Sequence, residues 1–224
     1  MKKTAIFAMT AAVMVTTSVG FASPLNDYSA GKTQIDLTLR QDSLSSTSVM
    51  GSGDYDKKGN VEFGITTGLG NNFALQYNNF NGKSKDTNFA NASGPFTASA
   101  KLKMQEFNVL YKVDKNLSVY TGIASVKGSF NSTIGTPESD TKNKIQFGII
   151  GSTKLAEKTT AYAQVGVASN MTNWKVGVSQ EVAPNLELNL DYGSLKVNKM
   201  AFNNGMGDVD MTSKGIGFGI SYKF

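Results

Sequence analysis

The chain predicts an all-β fold: a transmembrane antiparallel up-and-down β-barrel of ten strands, with eight strands as the alternative. Three observations predict it. Apolar and polar residues alternate with period two in run after run of the chain, the pattern of a sheet with one greasy face. Tight turns and long polar stretches take turns between those runs. A short apolar leader of export type stands in front of them.

The leader comes first in the chain. Lys2 and Lys3 supply a positive start, Ala5 to Val15 are apolar apart from Thr10, and Gly20 and Ala22 offer the small residues a leader peptidase inspects. Cleavage is expected after Ala22, so residues 1–22 are a signal peptide and residues 23–224 the barrel domain. The apolar run is shorter than the ~20 residues a spanning helix needs. No cysteine occurs, which excludes lipid attachment through a thiol, disulfides and thiolate metal sites.

The strands follow. Ile35, Leu37 and Leu39 alternate with Gln34, Asp36, Thr38 and Arg40, and Phe107, Val109, Tyr111 and Val113 alternate with Glu106, Asn108 and Lys112. Leu186, Leu188, Leu190 and Tyr192 oppose Glu187, Asn189 and Asp191. The runs are expected at about 32–40, 60–69, 73–80, 103–113, 117–126, 144–154, 160–168, 173–182, 186–197 and 214–224. Each is near the ~9–11 residues that cross a bilayer as a tilted strand. The 160–182 region is where a count of eight would arise.

Connections come in two kinds. Gly70-Asn71-Asn72, Asp114-Lys115-Asn116, Ala156-Glu157-Lys158 and Ala183-Pro184-Asn185 read as hairpin turns. Polar stretches at 41–59, 81–100, 127–143 and 198–213 read as long loops, with a short exception near Asn170. Long loops on one rim and short turns on the other belong to an outer-membrane barrel. The last strand sets Gly215, Gly217, Gly219, Ser221 and Lys223 against Ile216, Phe218, Ile220, Tyr222 and Phe224. Alternating glycines suit a crowded lumen or a sharp bend better than a solvated sheet face. In lipid only a closed sheet leaves no backbone group unpaired.

Charge narrows the function. Without the leader the chain carries 20 basic and 17 acidic residues, with Arg40 the single arginine, so no nucleic-acid partner is expected. The pattern Ile220-Ser221-Tyr222-Lys223-Phe224 resembles the C-terminal signature of outer-membrane proteins. With the leader and the hairpin rhythm, the mature chain resembles the porin-like, opacity-protein-like superfamily of small outer-membrane barrels. That resemblance implies an outer-membrane location, lipids of that membrane as partners, and recognition of Ile220, Tyr222 and Phe224 by the barrel-assembly machinery.

Chemistry is sparse. Histidine is absent, which removes the common general base and the serine triads. Barrel proteases, phospholipases and lipid-A acylation-editing enzymes are similar in architecture, but their sites include a histidine, so none carries over. The lumen face is expected to hold Asp36, Arg40, Glu62, Glu106, Lys112, Lys144, Lys175, Glu181, Glu187, Asp191 and Lys223. Mixed charge of this kind reads as mutual neutralisation rather than a carboxylate pair for glycoside hydrolysis. Met104, Leu110 and Ile150 interrupt that face and mark a bulge, an apolar plug layer or a mis-phased strand. Trp174, Tyr111, Phe73, Tyr222 and Phe224 stand near strand ends, as interfacial aromatics do. Asp54-Tyr55-Asp56 and Asp208-Val209-Asp210 lack the spaced oxygen series of a calcium loop. No cofactor is expected. The expected function is a non-enzymatic structural barrel or narrow passive channel. The alternative is surface recognition of a host or cell-surface ligand through the long loops, and a barrel enzyme ranks last.

Overall fold

The structure is a computed structural model and describes residues 23–49, 51–91, 94–133, 135–203 and 207–224. The expected leader, residues 1–22, lies outside the described residues, which begin at Ser23. Eleven strands occur among them: β1 (Thr33–Ser48), β2 (Gly51–Gly70), β3 (Phe73–Lys83), β4 (Thr87–Asn91), β5 (Gly94–Asp114), β6 (Leu117–Ser132), β7 (Lys142–Ala156), β8 (Thr159–Ala168), β9 (Met171–Ala183), β10 (Leu186–Phe202) and β11 (Gly207–Lys223).

All pairings are antiparallel between sequence neighbours, with two that close the sheet. β1 pairs with β11, and β3 pairs with β5 below the short β4. Ten strands therefore form a closed barrel, and β4 continues β3 after an interruption at residues 84–86. The eight-strand alternative is excluded because β8 and β9 pair separately with β7 and β10. The four hairpin turns fall where expected, and three of them carry asparagine; Ala156-Glu157-Lys158 does not. Asn71 (φ 52°) and Asn72 (φ 66°) both take the left-handed conformation, as does Asn185 (φ 68°), which a two-residue hairpin demands and asparagine tolerates.

The expected long loops are a correction. Residues 41–48, 51–59, 94–100, 127–132, 198–202 and 207–213 continue the strands. β5 has 21 residues, which rise roughly 50 Å at a tilt of about 40°, against a hydrocarbon core of about 30 Å. The barrel thus protrudes far beyond a bilayer on the β1–β2, β3–β5, β5–β6 and β10–β11 side. β7, β8 and β9 stop lower, and β8 has only 10 residues.

The two halves of the barrel have opposite dress. In the lower half the outer face is apolar: Leu39, Phe107, Val109, Ile123, Ile145, Phe147, Val176, Leu190, Ile216 and Phe218 are exposed, with Ile145 at 68%. Side chains this greasy and this exposed are stable only against lipid, so the lower half spans the membrane. Above them the same outward positions become Gln41, Gln105, Ser125, Thr172, Lys196 and Lys214. The inner face changes the other way at about this level. Leu44, Ala100, Leu102, Met104, Ala124, Val126, Phe130, Met171, Leu195, Val197, Met200, Phe202, Val209 and Met211 pack one apolar core inside the protruding head.

Residues 135–140 strap this head. Phe130 N–H donates to Pro137 O (2.9 Å), Ser139 N–H to Gly128 O (2.9 Å), and Asn203 N–H to Glu138 O (3.0 Å). The strap therefore joins β6 to β10 across the gap that the short β7–β9 strands leave. On the membrane side, Trp174 meets Tyr192 (ring centroids 5.7 Å), while Phe73 meets Tyr111 (5.0 Å) and Tyr222 meets Phe224 (4.9 Å). The first pair borders the upper rim of the apolar belt and the other two its lower rim, the placement of interfacial aromatics.

Candidate functional site in the barrel lumen

The lumen is filled in three layers. The head core described above is the upper one. The lowest is a second apolar cluster of Leu25, Tyr28, Ala74, Leu110, Tyr120 and Ile150. Met104 thus belongs to the upper apolar layer and Leu110 and Ile150 to the lower one; no bulge is recorded at these three positions.

Between them lies the polar layer. Arg40 is its centre: Nε is 2.7 Å from Glu62 Oε1, Nη2 is 2.6 Å from Asp191 Oδ1, and Nη1 donates to Gly215 O at 3.0 Å. All three side chains are buried. Asn60 Nδ2 donates to Asp42 Oδ2 at 3.2 Å. Glu106 accepts from Asn173 Nδ2 (3.0 Å) and Asn78 Nδ2 (3.3 Å). An amide relay runs around the wall from Gln146 to Asn108 to Gln76 to Thr66, with steps of 2.8, 3.3 and 3.2 Å. Asp36 accepts from Gln34 Nε2 (2.8 Å) and Ser221 Oγ (2.7 Å). Charges so far from water persist only where each has such partners.

A cavity of about 70 Å³ opens beside Arg40, lined by Asp42, Glu62, Asn78, Glu106, Asn173 and Lys175 among others. It has room for a few waters and polar walls to hold them. Lys175 is half-buried in the same cavity wall, among charges of both signs: the carboxylates of Asp191, Glu62 and Asp36 and the guanidinium of Arg40.

The sequence-predicted lumen residues fall into separate groups. Asp36, Arg40, Glu62, Glu106, Lys175 and Asp191 share the polar layer. Glu187 and Lys223 form an ion pair at the lower mouth, where Lys112 also donates to Asn26 O. Lys144 lies at the upper end of β7, donating to Ser169 O at 2.6 Å, and Glu181 lies at the lower end of β9 beside a register shift. Neither joins the central layer. Asp42 belongs to it and was missed because it falls in the stretch read as a loop.

Outside the membrane span two carboxylates are tuned. The hydrogen bond and charge of Lys127 hold Glu138 below its ordinary range (Oε2 to Nζ 2.6 Å). At the other end, hydrogen bonds from Ser29 do the same for Asp27.

Comparison with protein-family models and with curated proteins finds no match. Solved structures do match. The outer membrane protease OmpT of Escherichia coli aligns over 86% of this chain and 97% of its own, with a TM-score of 0.57 and 12% identity. The chain has the outer-membrane β-barrel fold. Looser likenesses include Ail, the attachment invasion locus protein of Yersinia pestis (TM-score 0.41, 13% identity, 87% of this chain and 99% of that one). The outer membrane protein OprG of Pseudomonas aeruginosa aligns similarly (0.41, 11%, 90% and 99%). Identities this low speak for the barrel and not for what it does.

Proposed function

We propose that this barrel is a non-enzymatic structural component of the outer membrane that holds a folded head above the bilayer and does not conduct. The occluded lumen carries this reading. Leu44, Val126 and Val197 above, Glu62, Glu106 and Gln146 in the middle, and Leu110 below are all essentially without solvent exposure. A continuous aqueous path would wet lumen side chains at every level, as in wide porins. The passive-channel version would require the Arg40 layer and both apolar layers to move. With no histidine in the chain, the buried carboxylates engaged by Arg40 and by amides serve as lumen glue. The lipids of that membrane are the partners of the apolar belt, and Ile220 and Tyr222, on the outward parity of β11, with Phe224 just past its end, are offered to the assembly machinery.

The test is single-channel recording on protein inserted in a planar bilayer, with insertion verified by a heat-modifiable gel shift. Silence is expected; steady ohmic openings from wild-type protein would overturn the closed-barrel reading.

A second reading, surface recognition, now rests on the head rather than on loops. Lys83 pairs in register with Lys101, and Lys103 with Lys127, on the outward face of β3, β5 and β6. Like charges directly opposite are unfavourable, and Glu138 is the carboxylate on Lys127. Such a face fits a polyanionic surface ligand. Retention on a sulfated-polysaccharide column should fall when Lys101 and Lys103 are both changed to Glu; unchanged retention would remove this reading.

A further inference from the structure

The lower mouth of the barrel is stoppered by its own chain. Residues 23–32 lie across the lower mouth and bury Ser23, Leu25 and Tyr28 in it, where Leu25 and Tyr28 complete the lower apolar layer. Six strands hold them. Tyr28 OH donates to Ser118 Oγ on β6 (3.1 Å), Ser152 Oγ on β7 donates to Asn26 Oδ1 (3.0 Å), and Lys112 on β5 donates to Asn26 O. Gly70 N–H on β2 donates to Tyr28 O (2.9 Å). Gly68 is a glycine because a Cβ there would stand 2.4 Å from Ser29 O. β1 and β10 hold the tip.

That tip is Ser23, which is 1% exposed. Its N–H donates to Asn189 Oδ1 at 3.0 Å, its carbonyl accepts from Gln34 Nε2, and its hydroxyl touches Glu187 Oε2. Glu187 turns its other oxygen, Oε1, to Lys223. One carboxylate oxygen therefore serves a lysine, while the second faces Ser23. A peptide N–H has one hydrogen to give and no charge. An ammonium has three and a full positive charge, which a half-buried carboxylate and an amide oxygen answer well.

We propose that Ser23 is the first residue of the exported protein and that the Glu187–Asn189 pocket is a binding site for its α-ammonium. The proposal goes beyond the closed-barrel reading. Hydrolysis of the Ala22–Ser23 bond by a leader peptidase consumes one water. The carboxylate stays on the released leader, and the new amine takes a proton and becomes the cation that the pocket holds. Leader removal thus creates the charge that seats the stopper, and the lower mouth closes only on a processed chain.

Three measurements test it on full-length protein expressed with its leader and extracted from membranes. N-terminal sequencing should read Ser-Pro-Leu-Asn. Acetylation of the α-amine by an N-hydroxysuccinimide ester near neutral pH should run at least tenfold slower in the folded barrel than in denatured protein, and Glu187→Gln should abolish most of that protection. Lys223→Met, which removes the neighbouring cation, should leave it in place. Should Glu187→Gln fail to fold, a refolded chain that begins at Ala22 replaces it. Its displaced amine should react at the denatured rate, and residues 23–32 should become open to protease. A start at any other residue, or equal acylation rates in folded and denatured protein, overturns the proposal. The heat-modifiable gel shift reports the barrel separately, so losing the stopper and losing the barrel are distinguishable.

Discussion

Arg40 on β1 grips Asp191 on β10 across the strand that separates them, with Nη2 2.6 Å from Oδ1. Gly217 on the intervening β11 makes the crossing possible. A Cβ at that position would stand 2.9 Å from Arg40 Nη2 and 2.9 Å from Asp191 Oδ2. The glycine gap and the ion pair are one device, and it ties three consecutive strands through the lumen.

Removing the cation alone should be severe. Arg40→Met leaves the buried Glu62 and Asp191 carboxylates without their counter-charge, a loss of about 3–5 kcal/mol for breaking a buried pair. Adding Glu62→Gln and Asp191→Asn should recover much of it. Reversible guanidinium unfolding in lipid vesicles measures both; a single substitution within about 1 kcal/mol of wild type would show that the pair holds little.

Filling the gap should act on the same pair. Gly217→Ala is expected to cost about 1–3 kcal/mol, as overpacking does. Gly59→Ala, where a Cβ meets nothing within 4 Å, serves as the control. Equal unfolding midpoints for the two variants would contradict the crossing argument.

Depth in the bilayer should be readable from one strand. Val109 lies in the apolar belt of β5, whereas Gln105 stands where the outward face has turned polar. Arginine at 109 should cost about 2–4 kcal/mol and at 105 about 0–1 kcal/mol. The same vesicle titration compares them, and a reversed order would move the membrane boundary.

Acid should loosen the strap. Lys127 depresses the Glu138 carboxyl below its ordinary value of 4.5, so the ion pair favours the folded strap above that ordinary value. This contribution is lost as pH falls through the lower, folded value. Amide exchange at Asn203, whose N–H donates to Glu138 O, should quicken there after correction for intrinsic rates. Glu138→Gln should remove the extra pH dependence. Exchange with the same profile in both proteins would count against the pair.

The membrane half was legible because lipid enforces a simple rule. Leu186, Leu188, Leu190 and Tyr192 point out, their polar neighbours point in, and asparagines stand in three of the four hairpin turns. The head was not legible for an equally physical reason. On β5 the inward parity continues unbroken from Leu110 through Glu106 to Met104, Leu102 and Ala100, while its polarity reverses. A stretch whose greasy face changes sides loses its alternation against a single template and reads as a polar loop. Lys144 and Glu181 have the lumen parity too, but the ends of β7 and β9 carry them away from the central layer.

By itself the sequence determined a ten-run barrel pattern with an apolar exterior and charged interior, because period-two patterning and turn chemistry are local properties. Only the tertiary structure decided that Arg40 pairs with Glu62 and Asp191 and that the upper lumen is an apolar core. It alone placed residues 23–32 in the mouth. Each of these depends on which strands closure brings face to face across the lumen, and those distances are set by the circumference and stagger of the whole sheet.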